Sequence, residues 1–249
     1  MLTVLHVVFG TVALVAVPVA LFVRKGGWWH RRAGAVFTLS MFVVLLSAAF
    51  LWQAKGHLFL VPLGFVTAYL IFNAWRVIAR RRRGPDAIDD AVDRLAAAAV
   101  ILAGLATAAI GIFPSTQLVV SIQPALIAIG AIGICFGLND LLGFRAPRSR
   151  PGWQFAHLSA MIASYISATT AFLVINAHHV PMMIRWLVPS SIGALAIALY
   201  SLGILRQHWY VERLLGKSRD RANAGKSAPN RSSVAVAQAT TGDGSAALH

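Results

Sequence analysis

Acidic residues and cysteine are scarce in this sequence. Only 8 of its 249 residues are Asp or Glu, and charged residues of both signs make up 12% of the chain. Soluble domains carry about 25% charged residues, so this composition is not that of a soluble domain. A single cysteine, Cys135, excludes a disulfide framework within the chain and a CxxC redox pair.

Several catalytic motifs are also missing from the sequence. It contains no GxSxG, no HExxH and no P-loop, which argues against the common hydrolase and nucleotide-binding classes. The last apolar run, 183–205, has no lysine that could form a Schiff base with retinal. The sequence therefore favours a protein that is not an enzyme.

Apolar residues instead occur in long runs. The hydrophobic fraction is 58% and the mean hydropathy is +0.71. A transmembrane helix needs about 20 consecutive apolar residues. The runs of that length are 2–23, 33–53, 57–79, 94–112, 118–142, 153–177 and 183–205. We therefore predict an all-α, polytopic integral membrane protein with seven transmembrane helices in one bundle.

Basic residues are concentrated in alternate loops. The loops after the first, third and fifth runs hold Arg24, Lys25, Arg31, Arg32, Arg80, Arg81, Arg82, Arg83, Arg145, Arg148 and Arg150. Short cationic loops remain on the cytoplasmic side of a membrane. We therefore expect the N-terminus outside and the C-terminus in the cytoplasm. The expected location is the inner (plasma) membrane, which the chain would cross several times. The expected partners are the lipid bilayer and anionic lipids at the cytoplasmic face. The net charge of +14 comes without an aromatic-basic motif, so we predict no nucleic acid binding.

Three segments are expected along the chain. Residues 1–205 form the transmembrane domain. Residues 206–216, "RQHWYVERLLG", have the apolar and basic faces of an interfacial amphipathic helix. Residues 217–249 are rich in Ser, Ala, Asn, Gly and Thr and are predicted to be a disordered cytoplasmic tail.

The fourth run is preceded by an acidic segment, "GPDAIDDAVDR". Asp86, Asp89, Asp90 and Asp93 share one helical face directly after the arginines at 80–83. Acidic residues are favoured near a helix N-terminus by the helix dipole. We expect a solvated acidic face that partly neutralises the arginines, with a divalent-metal site as the alternative.

The loop "RKGGWWHRRAG", 24–34, has the composition of a membrane-interface anchor. Tryptophan prefers the interface, and arginine there marks the cytoplasmic side. Glycine permits the turn, and Gly34 is expected to let the second helix start close to a neighbour. The anchor interpretation accounts for every residue of the loop except His30.

Three short motifs near the N-terminus, "LHVVFG", "RKGG" and "HRRAG", resemble a bacterial family of predicted membrane proteins catalogued as domain of unknown function 2306. The resemblance covers the first quarter of the chain. It implies that His6, His30, Arg31 and Gly34 are the family-type positions. It implies no activity.

Asp140 and His157 are ionisable residues within predicted spans. Such residues are functional candidates because burying them is costly. They lie at similar depth in consecutive helices, where the carboxylate could orient one imidazole nitrogen. We predict either a proton-handling pair or a structural polar pair. On the sixth helix, Tyr165, Thr169, Phe172 and Asn176 form a stripe that we expect to bind other helices, or to line a solute path.

Other histidines lie toward the outer side. His57, His178 and His179 are near helix ends, and His6 lies within the first span. Imidazole with the thioethers of Met182 and Met183 suits copper. Haem needs two facing axial ligands, which would pair His6 with His57 or His178, or His30 with His157.

Three function classes follow. The first is proton-coupled transport of a small solute through Asp140 and His157. The second is a haem-binding or metal-binding redox protein. The third is a non-catalytic membrane scaffold or accessory subunit that uses its basic loops for contact.

Overall fold

The computed structural model describes residues 1–55, 60–83, 91–114, 117–143 and 150–227, and within them every regular element is an α-helix. The helices are α1 (Leu2–Phe22), α2 (Trp28–Lys55), α3 (Leu60–Arg83), α4 (Ala91–Ile112), α5 (Gln117–Gly143), α6 (Arg150–Asn176) and α7 (Met182–Ser227). No strand occurs in these residues.

Each of the seven helices is long and apolar enough to cross a membrane. The qualifying segments are Leu2–Phe22, Trp28–Leu51, Leu60–Arg82, Ala91–Ile112, Ile122–Gly143, Gly152–Asn176 and Met182–Gln207. Each overlaps one predicted span, so the prediction of an all-helical chain with seven apolar helices is confirmed. The second helix starts five residues earlier than expected because "WWHRR" continues it toward the N-terminus.

The chain divides into two units, Met1–Leu202 and Gly203–His249. The first unit holds α1 to α6 and the start of α7. In the second unit α7 continues to Ser227, so residues 217–227 of the predicted disordered tail are helical. Extending an existing helix needs no new nucleation, and no proline occurs between Pro189 and Pro229. Residues 228–249 lie outside the described residues.

Helix α3 lies at the centre of the first unit. It packs on α2, α4, α5 and α6, and its hydrophobic segment is the most buried of the seven. Leu70 and Ala74 are 1% and 0% exposed in a core shared with α4, α5 and α6. A helix surrounded in this way has little lipid-facing surface, so it can carry polar side chains that protein groups satisfy.

Helices α4 and α5 approach each other to backbone contact. A Cβ added to Gly130 would lie 2.6 Å from the Gly104 carbonyl oxygen, and one added to Gly104 would lie 2.7 Å from the Gly130 oxygen. Gly137 likewise faces the Ala97 carbonyl. Within lipid, where no hydrophobic effect drives helices together, such close van der Waals packing holds them.

Helices α1 and α2 form a second pair, which contacts the bundle through an apolar cluster. Its buried members are Ala13, Ala16, Val17, Phe37, Met41 and Ile71, with Met161, Tyr165 and Ala168 packed against them. This cluster, called the α1–α2–α6 cluster below, joins α1 and α2 to α6 and to one residue of α3.

We expect Gly130→Ala to destabilise the first unit by about 1–3 kcal/mol, because the added methyl group would overpack the α4–α5 contact. The matched control is Gly10→Ala on α1, whose Cβ would lie 3.9 Å from the nearest atom, on Val44. Thermal unfolding in detergent measures both variants. Equal melting temperatures for the two variants would contradict the close-contact account.

Candidate functional site

The functional candidates gather at one end of the first unit. Side-chain contacts bring together at this end the C-terminal parts of α1, α3 and α5 and the N-terminal parts of α2, α4 and α6. A contact between α3 and α6 shows the arrangement: the Arg81 guanidinium carbon lies 3.9 Å from the ring centroid of Trp153. We call this region the basic end.

Asp140 is the most deeply buried ionisable residue near the basic end. Its side chain is 0% exposed, on the last turns of α5. The Tyr69 hydroxyl of α3 donates a hydrogen bond of 2.6 Å to Asp140 Oδ2. A hydrogen bond to a carboxylate in a low-dielectric interior is stronger than one in water. The carboxylate is therefore anchored to the central helix.

Tyr69 belongs to a polar stripe that the sequence analysis missed. Tyr69, Asn73, Arg76 and Arg80 follow the spacing i, i+4, i+7 and i+11, which places them on one face of α3. Asn73 Oδ1 accepts a hydrogen bond of 3.4 Å from Arg80 Nη2. We call these four residues the α3 polar stripe. The helical spacing was visible in the sequence, but Arg80 was counted only as loop charge and Arg76, inside the third apolar run, was not selected.

The α3 polar stripe ends in a buried ion pair with α4. Arg76 binds Asp93 through two bonds, Nε to Oδ1 at 2.6 Å and Nη2 to Oδ2 at 3.1 Å. Arg80 Nε lies 3.6 Å from Asp93 Oδ2. Asp93 is only 2% exposed.

The prediction of a solvated acidic face is therefore wrong for Asp93. A buried carboxylate needs hydrogen-bonding or charged partners, and the long side chains of Arg76 and Arg80 supply positive charge from the neighbouring helix. The other three aspartates, Asp86, Asp89 and Asp90, lie outside the described residues.

His157 also contacts α3. Its Nδ1 lies 3.2 Å from the Ala74 carbonyl oxygen. Asp140 and His157 thus both bind the central helix, one through Tyr69 and the other through the main chain at Ala74. Their joint role in handling a proton stays a prediction.

His30 completes the C-terminal end of α1. Its Nδ1 lies 3.0 Å from the Ala20 carbonyl oxygen, which Lys25 Nζ also approaches at 3.3 Å. The Tyr200 hydroxyl donates to the next carbonyl, that of Leu21, at 3.3 Å. The last carbonyls of a helix lack partners within it, so these donors satisfy them. Partial burial lowers the pKa of Lys25.

The other family-type positions make different contacts. His6 Nδ1 lies 2.9 Å from Ser47 Oγ and so joins α1 to α2 far from the basic end. Arg31 is exposed, and no described atom lies within 4 Å of a Cβ built on Gly34. The expectation that Gly34 permits a close helix approach is wrong. Trp28 and Trp29 are 53% and 64% exposed, as a lipid-facing anchor requires.

The outer histidines do not assemble into a larger ligand set in the described part of the chain. His178 and His179 are exposed, and His57 lies outside the described residues. Among the residues that are described, no group of three or more His, Cys, Asp or Glu side chains could hold a metal ion.

The stripe predicted on α6 makes one bond to another helix. The Tyr165 hydroxyl donates to the Leu14 carbonyl of α1 at 3.2 Å, whereas Thr169 and Asn176 bond to carbonyls of α6 itself. Phe172 is 50% exposed. The buried polar face of α6 is formed instead by Ser159, Ser164, Ser167 and Thr170.

Comparisons with family models, with curated proteins and with solved structures found no match for this chain. The resemblance to domain of unknown function 2306 therefore stays a prediction, carried by the motifs within residues 5–34.

We expect Asp93→Asn to lower the free energy of unfolding by about 3–5 kcal/mol, because it removes a buried negative charge that two arginines bind. The control is Arg82→Gln, at an exposed position on the same helix as Arg76. Thermal unfolding and gel filtration in detergent measure the effect. An Asp93→Asn protein as stable as the control would show that the ion pair does not support the fold.

Proposed function

We propose that this protein is a multi-pass transporter of the bacterial inner membrane that couples movement of a small solute to protons. The observation that supports the proposal is the completely buried Asp140 carboxylate, which the Tyr69 hydroxyl binds from the central helix. Ionisable side chains within membrane spans are expensive to bury and commonly mark ion or proton pathways.

Protonation would change what this carboxyl group can do. An ionised carboxylate only accepts hydrogen bonds, whereas a protonated one also donates. A proton on Asp140 would therefore alter the bond from Tyr69 and, through it, the packing of α5 on α3. His157, bound to Ala74 one turn or so further along α3, is the second proton carrier of the proposal. A coupled transporter needs such a link between a proton and helix packing.

The proposal includes the orientation of the chain. The side chains of Arg24, Arg31, Arg32, Arg81 and Arg82 are exposed at the basic end. Exposed cationic groups in short loops and at the helix ends beside them favour the cytoplasmic side and anionic lipid. The basic end is therefore proposed to face the cytoplasm. Membership in the family catalogued as domain of unknown function 2306 is also part of the proposal.

Proteoliposomes test the coupling. The full chain is reconstituted with a trapped pH-sensitive dye, a proton gradient is imposed, and neutral, cationic and anionic small solutes are added in turn. We expect at least one solute class to evoke proton flux with the native chain. We expect Asp140→Asn to abolish the flux while the variant stays monodisperse, since asparagine keeps the size of the side chain but cannot bind the proton.

Tyr69→Phe is the companion variant. It removes the hydroxyl donor but leaves Asp140 able to ionise, so we expect flux that is reduced and has a shifted pH profile. Undiminished flux in a well-folded Asp140→Asn protein would remove Asp140 from the mechanism. Native proteoliposomes that show no proton flux with any solute class would overturn the transport proposal.

Cysteine labelling tests the orientation. In a background with Cys135→Ala, single cysteines are placed by Arg31→Cys at the basic end and by His178→Cys at the opposite end. We expect a membrane-impermeant maleimide to label the second in intact spheroplasts and the first only after lysis. The reverse pattern would place the basic end outside.

A further inference from the structure

His30 and His157 make the same kind of contact with the main chain of another helix. The proposed transport function does not explain why both histidines do so. Each directs Nδ1 at a main-chain carbonyl of another helix: His30 at Ala20 of α1, 3.0 Å away, and His157 at Ala74 of α3, 3.2 Å away. A carbonyl only accepts, so the hydrogen of each neutral ring lies on Nδ1. Each Nε2 then keeps its lone pair, which is the state of a metal-ligating imidazole oriented by an outer hydrogen bond.

The two rings belong to the same region of the bundle. They are near enough to interact electrostatically. His30 lies two turns before Phe37, and His157 one turn before Met161, and both of these residues belong to the α1–α2–α6 cluster. In the described residues α2 and α6 share no extensive backbone packing. The two imidazoles therefore belong to helices that do not pack extensively on each other.

The indole N–H of Trp153, beside His157, lacks a hydrogen-bond acceptor among the described residues. Trp153 lies one turn before His157 on α6, and its indole Nε1 is buried without a hydrogen-bond acceptor. A buried donor left unsatisfied costs about 1–3 kcal/mol. The Arg81 guanidinium stacks on the same ring, 3.9 Å from its centroid. An N–H donor and a cation side by side suit an acidic group of a ligand.

The geometry points to a haem site at the basic end, with His30 and His157 as the two axial ligands and Trp153 and Arg81 beside a haem propionate. Haem iron needs only two protein ligands, because the porphyrin supplies the other four nitrogens. A bare ion would need a larger set, and the described residues hold no group of three such side chains. Haem also carries two carboxylates, and one of them can accept the hydrogen bond that the indole N–H does not make within the described residues. This inference does not rest on the proposed transport function, but the two share His157: a ring that binds iron through Nε2 cannot also carry a proton there.

Hemin titration of the purified full-length chain in detergent tests the site. We expect one hemin per chain, a low-spin spectrum on reduction with dithionite, and loss of that spectrum in both His30→Ala and His157→Ala. His178→Ala is the matched control, since this histidine is exposed at the opposite end of the bundle. His157→Met is a control for a folding defect, because its thioether can still bind the haem iron. We expect this variant to bind hemin with a shifted spectrum and a higher reduction potential.

Trp153→Phe tests the propionate contact. It keeps the ring under Arg81 but removes the N–H, so we expect hemin affinity to fall about tenfold while the low-spin spectrum remains. Hemin that keeps its free spectrum in the presence of the folded native chain would overturn the inference. So would a low-spin spectrum that survives in the His30→Ala and His157→Ala proteins. Proton flux in proteoliposomes decides the transport proposal separately from either result.

Discussion

The α3 polar stripe is the constraint on which the basic end depends. Arg76 and Arg80 lie in a helix that is apolar enough to span a membrane, so their charges must be paired within the protein. Asp93 provides the countercharge from α4, and Tyr69 at the other end of the stripe binds Asp140 of α5. The stripe thereby determines which faces of α4 and α5 meet α3.

Glycine contacts between α4 and α5 make this arrangement possible. Gly104 and Gly130 bring the two backbones together, so that α4 and α5 present Asp93 and Asp140 to α3 as a single packed pair. Close backbone contact supplies the van der Waals packing that holds apolar helices together. Small and charged residues therefore act together in packing α3, α4 and α5. The small residues determine the distance between α4 and α5, and the charged residues determine which face of each helix is turned toward α3.

His30 has a structural role that is compatible with the ligand role proposed for it. Its Nδ1 donates a hydrogen bond to the Ala20 carbonyl near the end of α1. This bond explains the presence of a histidine in a segment that otherwise consists mainly of Trp, Arg and Gly. The same bond directs the other ring nitrogen away from the helix end. His157 has the equivalent arrangement on α3. Capping and ligand presentation are thus compatible, because they use opposite nitrogens of the ring.

The number of helices, their approximate bounds and the alternation of basic loops followed from the sequence alone. These properties are local: a run of about 20 apolar residues is long enough to span the hydrocarbon core whatever its neighbours are. The helical continuation past residue 216 did not follow, because composition there resembles a disordered tail and the preceding helix supplies the nucleus.

Only the tertiary structure decided the partners of the polar groups. Asp93 was expected in solvent and is buried, and Asp140 binds Tyr69, a residue 71 positions away that the sequence analysis did not select. The spacing of the α3 polar stripe was readable, but its meaning depends on which helices surround α3. That choice follows from glycine contacts and helix rotations between segments distant in the chain, and local periodicity carries no information about either.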